Sequence, residues 1–122
     1  MLVNDGTGKY LLTFENVAVI RRIPMERRGT SKRGLQWTLG SALFEVFGEE
    51  GESGSAQLYL VTFDEEVIEQ LNVFGVGKRV KIRWHVESRE KFDSYAVSAI
   101  LDGIEMLTDG ENFIVGKWEN ER

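Results

Sequence analysis

The sequence predicts an all-β domain carrying one short helix, and three observations predict it. Apolar residues alternate with polar ones in five runs, near residues 10–23, 35–47, 56–63, 78–87 and 94–101. One helical pattern, residues 64–75, falls between the third and fourth runs. The chain has 122 residues and no cysteine, enough for one hydrophobic core and incompatible with a disulfide framework or a zinc–thiolate site.

The first run, Leu11 to Ile20, is rich in β-branched and large apolar residues. Its alternation breaks near Asn16, where a bulge that curves the strand is expected. Pro24 ends it, since proline donates nothing to a central ladder. Residues 21–34 read as a flexible loop or the tip of a long hairpin, with Gly29, Thr30, Ser31 and Gly34 as its turn formers. Leu35 to Leu39 alternates; Gly40 interrupts; Ala42, Phe44 and Val46 continue on one side, with Leu43, Glu45 and Phe47 on the other. Residues 48–55 are acidic and glycine-rich and mark a solvated turn. In the third strand Leu58 and Leu60 share one phase, and Tyr59, Val61 and Phe63 the other.

Asp64 is a good N-cap, and Glu65 and Glu66 suit the positive end of a helix macrodipole. Val67, Leu71 and Phe74 form one apolar stripe, and Gly75 and Gly77 supply the stop and the turn. The clearest strand follows: Val80, Ile82, Trp84 and Val86 on one face, Arg79, Lys81, Arg83 and His85 on the other. Residues 88–93 read as a polar hairpin loop, and 94–101 as the last strand. Residues 1–107 are expected to form the domain; 108–122 read as a polar tail or extra edge strand. Three strands, a helix and two strands is the order of an oligonucleotide/oligosaccharide-binding (OB) fold, a five-stranded Greek-key barrel that holds ligands on one sheet face and its hairpin loops.

A net charge of −5 argues at first against a polyanionic partner. The sum conceals segregation. Residues 1–48 hold seven Lys/Arg against four Asp/Glu, and residues 76–101 six against three; residues 49–75 hold none against seven, and 102–122 two against six. The basic charge thus falls where such a barrel places its binding loops. No apolar run approaches a membrane span, and residues 1–8 lack the basic start and apolar stretch of a signal peptide, so a cytoplasmic protein without membrane contact is expected.

Catalysis has little to work with. His85 is the sole histidine and reads as a surface residue on a polar strand face. Gly6-Thr7-Gly8-Lys9 lacks the spacing of a phosphate-cradling loop, and the acidic run at Asp64 is explained by capping. No enzyme activity, metal, cofactor or small-molecule substrate is expected. Binding has more. Single strands are held by cations that meet phosphates and by aromatic rings on which bases stack. Arg21, Arg22, Arg27, Arg28, Lys32 and Arg33 face only Glu26 in their segment and are candidates for phosphates, the alternative being a solvated loop. Arg79, Lys81 and Arg83 form either a solvated strand face or the floor of the strand path; Arg89 and Lys91 extend the set. Trp84 and Phe44 share phases with core residues and read as buried. Trp37 stands between core and platform, Tyr59 is a candidate ring, and Phe92, in a polar loop without an apolar neighbour, leans towards stacking.

Val76-Gly77-Lys78-Arg79-Val80-Lys81-Ile82-Arg83-Trp84-His85-Val86, followed by Tyr95 to Leu107 with its Met106-Leu107 ending, resembles the second half of bacterial single-stranded DNA-binding proteins. In that family a helix ends in a glycine and a basic or polar residue, a V-x-I-x-G/W strand follows, and the fifth strand leads to an M-x-x-L or x-M-L segment. The similarity spans residues 76–107 and reaches the first half only by pattern. It implies a homo-oligomer, a dimer or tetramer, that coats single strands with little sequence preference, and counterparts of the family's stacking aromatics in Trp37, Tyr59 and Phe92. The family's long Gly/Pro/Gln-rich tail with an acidic tip has no counterpart in 108–122, which implies a divergent relative, such as one from a phage or mobile element. The expectation is non-catalytic binding of single-stranded DNA, or RNA, in replication, recombination or repair. The alternative is a barrel of the same fold serving as a protein-interaction or assembly module.

Overall fold

The structure is a computed structural model that describes residues 1–4, 6–8, 10–24, 26–48, 54–91 and 94–107, without the side chains of Arg89 and Lys91. The expected tail, 108–122, lies outside these residues. Seven strands and one helix run in the order β1 (Leu2–Asn4), β2 (Tyr10–Arg22), β3 (Arg27–Thr30), β4 (Gln36–Phe47), β5 (Ser55–Thr62), α1 (Glu65–Phe74), β6 (Arg79–Lys91) and β7 (Ser94–Met106). Five of them close a ring, β2-β6-β7-β5-β4, sealed by the pairing of β2 with β4. Every pairing is antiparallel except β5 with β7, which meet in parallel at Val61 and Ile100.

The ring strands match the five expected runs. The two additions are short edge strands: β1 lies on β2, and β3 lies on β4 within what the sequence presented as a loop. β6 also runs on to Lys91 and pairs with β7 through Ser94, so most of the expected 88–93 loop is ladder.

Alternation fills the ring. Ala18, Ile20, Ala42, Phe44, Leu60, Val80, Ile82, Leu101 and Ile104 point inward and pack with Val67 and Leu71 of α1, while Phe74 joins from the rim. Truncating the fully buried Phe44 to alanine would cost about 3–5 kcal/mol. The helix is capped as the sequence predicts: the Asp64 side chain accepts the Glu66 N–H, and Gly75, at φ 78°, turns the chain out. Gly40 has a different reason. A Cβ there would lie 2.6 Å from Ile68 Cγ1, so the interruption in β4 is the seat of α1.

The broken alternation at Asn16 is not a bulge. Asn16 pairs regularly with Ile82, and its side-chain oxygen accepts the Trp84 Nε1–H at 2.8 Å. The break is therefore a satisfied polar pair, and the irregularity in β2 falls between Ile20 and Arg22 instead. Trp84 is half-buried, stacked on Phe14 with ring centroids 4.5 Å apart.

Candidate nucleic-acid interface

Because Ala42, Phe44, Leu60 and Thr62 point into the barrel, Trp37, Leu39, Ser41 and Leu43 of β4 and Tyr59 and Val61 of β5 face outward. Three rings on this face stay wet: Trp37, Tyr59 and Phe63 are 43%, 53% and 54% exposed. Phe63 carries the Tyr59–Val61 phase one step past β5, and its carbonyl accepts from the Thr38 hydroxyl at 3.5 Å. Sequence reasoning placed Phe63 in that phase without counting it as a site residue; the alternation was the available signal. Leu43, opposite Tyr59, is about 20 Å along β4 from Trp37 at ~3.3 Å per residue, so the rings form a track rather than a cluster.

The cations divide. Pairing places Arg27 beside Leu39, on the aromatic face, and Gly29 beside Trp37. Arg22 pairs with Leu43. Lys32 and Arg33 occupy the β3–β4 turn, which closes by the Gly34 N–H donating to the Ser31 carbonyl and the Leu35 N–H to the Ser31 hydroxyl. Arg22, Arg27, Lys32 and Arg33 are exposed and make no ion pair with a described residue. Arg28 turns the other way. Its guanidinium donates to Glu65 at 2.7 Å and Glu26 at 2.9 Å, tying the hairpin to the first turn of α1; the Glu65 hydrogen bond, then Glu26, raise its pKa. Arg21 donates through Nε to Glu45 at 2.7 Å, and Glu45 also accepts from the Ser55 hydroxyl.

Arg79, Lys81 and Arg83 lie on another flank, outside β6 and across β2 from the rings. Lys81 is 3.8 Å from Glu15, Arg79 is itself engaged, and the Arg83 guanidinium lies over the Cα of Gly103. Glu15 and Glu105 line the same groove, so this flank is of mixed charge. The backbones of Arg89 and Lys91 pair with Ala96 and Ser94; their side chains, and Phe92 entirely, lie outside the described residues.

His85 is not the surface residue its strand pattern suggested. It is 6% exposed, with Nδ1 2.7 Å from Asp102 and Nε2 2.9 Å from Glu87. The cause is the irregularity in β7: Trp84 pairs with Leu101 and Arg83 with Gly103, so the extra residue, Asp102, swings over the imidazole. Burial pulls the His85 pKa down, but hydrogen bonds to Asp102 and Glu87, and their charges, outweigh it and leave the pKa raised.

Among the described residues no group of three or more His, Cys, Asp or Glu is arranged to hold a metal, and no helix is long and apolar enough to cross a membrane.

A closed five-stranded ring with one helix gives the chain an OB-type barrel architecture. Solved structures agree at the level of fold. The mitochondrial single-stranded DNA-binding protein Rim1 of S. cerevisiae superposes with a TM-score of 0.55 at 13% identity, covering 80% of this chain and 97% of its own. The dimeric N-terminal domain of the PriB protein from Thermoanaerobacter tencongensis gives 0.52 at 17%, covering 80% and 98%. The small single-stranded DNA-binding protein of Streptomyces coelicolor gives 0.50 at 9%, covering 79% and 94%. At the level of sequence, no family profile and no curated protein matches the chain.

Proposed function

We propose that this protein is a Greek-key OB barrel that binds single-stranded DNA, without catalysis, along the outer face of β4 and β5. The observation that carries the reading is the coincidence, on one face and its hairpin, of exposed Trp37, Tyr59 and Phe63 with exposed Arg22, Arg27, Lys32 and Arg33, which make no ion pair with a described residue. Bases stack on the rings while the cations meet phosphates and release counterions. No base-edge code is needed for this, so the binding is tolerant of sequence and extends to RNA. The names of the structural neighbours support the DNA reading. The setting that fits is replication, recombination or repair in the cytoplasm.

The reading includes self-assembly into a dimer or tetramer. Leu2, Leu12, Val86 and Ala99 pair in one row across β1, β2, β6 and β7, and Leu2 and Leu12 are exposed, as are Tyr10, Tyr95 and Val97 farther along the same strands. An exposed apolar face of this kind suits a protein partner, and the PriB domain, a structural neighbour, is dimeric. The same face favours the second reading, an assembly module without nucleic acid. Titration with oligo-dT separates them: tryptophan emission should be quenched at micromolar protein and recover in high salt. No quench and no mobility shift would leave the assembly module.

A further inference from the structure

Gly29 sits on the edge strand β3, directly opposite Trp37. A Cβ built on Gly29 would lie 2.4 Å from Trp37 Cζ2, 2.6 Å from Cε2 and 2.9 Å from Nε1, so the indole occupies the space that any side chain would need. The backbone at Gly29 is outside the left-handed region and does not itself demand glycine. What demands it is the ring. An aromatic side chain laid over a glycine on the neighbouring strand covers the bare edge backbone and is itself held against it. Trp37 is thus held on one side by backbone, yet remains 43% exposed. A cross-strand pair at this position binds the hairpin and the ring into one unit, with Arg27 two residues away on the same face.

We infer that Gly29 is a positioning residue, which holds the Trp37 indole in the orientation a base stacks on. The inference rests on the proposed single-strand binding and deepens it. A ring fixed before binding has little rotamer freedom to lose, whereas a released ring must be ordered by the ligand. Gly29→Ala leaves the backbone conformation allowed and the ring, at the surface, with room to swing aside, so the barrel should fold and the ring should be displaced.

Two measurements test this on the full chain. In 19F NMR of 5-fluorotryptophan protein without ligand, with the Trp37 signal identified by its loss in Trp37→Phe, Gly29→Ala should shift and narrow that signal and leave Trp84 unmoved. In oligo-dT titrations, Gly29→Ala should weaken binding about two- to tenfold, the range set by ordering one side chain; in a Trp37→Ala background it should change affinity less than twofold. An unmoved Trp37 signal, an unchanged affinity, or equal losses in both backgrounds would overturn the role of Gly29 while leaving single-strand binding intact. Failure of the unaltered chain to bind oligo-dT would sink the stacking reading of Trp37 and the inference with it.

Discussion

Two outer faces of this barrel carry arginine and lysine, and they use them differently. Around the outer face of β4 and β5, Arg22 at the end of β2 and Arg27, Lys32 and Arg33 of β3 and its turn stand in solvent on the side of Trp37, Tyr59 and Phe63. On the β2–β6 flank, Lys81 answers Glu15, Arg83 is laid over Gly103, and His85 is clasped by Asp102 and Glu87. A cation already matched to a carboxylate brings little net field to a phosphate, and an exposed pair such as Lys81–Glu15 is worth only about 0–1 kcal/mol to the fold. On the proposed reading, positive charge marks a binding face where no described carboxylate pairs with it and stackable rings lie beside it; a row of cations in the sequence does not make one.

The sharpest break of this contrast is Trp37→Ala, which should weaken oligo-dT binding about 5- to 150-fold, corresponding to 1–3 kcal/mol per stacked base. Lys81→Ala should stay within about twofold, the size expected for a paired, exposed charge. Anisotropy of a labelled oligonucleotide reads both. Phe63→Ala tests the ring that alternation alone would have added; a loss of at least about fivefold is expected if a base rests on it. Next in size is the salt dependence. Arg27→Ala should lower the slope of log affinity against log salt by about 0.7, one phosphate contact on a single strand, while Lys81→Ala leaves it unchanged.

The smallest effect concerns stability on the flank. The folded-state pKa of His85 is raised. Its stabilisation is therefore fully present below its unfolded value of ~6.5 and is lost as pH rises through the higher folded value. Urea midpoints should fall from about pH 6 towards alkaline pH, and His85→Gln should flatten that decline while oligo-dT affinity holds. An affinity that followed the His85 substitution would erase the distinction between the faces.

Much of this architecture was legible from residue order. The five ring strands announce themselves by alternation, and α1 by Asp64, Gly75 and the Val67–Leu71–Phe74 stripe, because period and caps are local signals. The exposed phase of Tyr59 and Val61 was equally local, and Phe63 could have been read from it. What stayed hidden depends on partners distant in sequence. Asn16 looked like a bulge because its partner, Trp84, lies across a strand pairing. His85 looked exposed because the residue that covers it, Asp102, is delivered by an irregularity in the next strand. Arg28 looked like its neighbour Arg27, but pairing with Thr38 turns it to Glu65. β1, three residues long, is too short to advertise itself, and β3 is both short and polar; they exist because neighbouring edges accept them.

Photo-cross-linking of oligo-dT to the full chain, with the attached peptides mapped by mass spectrometry, tests the assignment of the face most directly. Adducts are expected on Trp37, Tyr59 or Phe63 and to vanish in high salt. Adducts confined to the segment 79–87, with none on those rings, would contradict it.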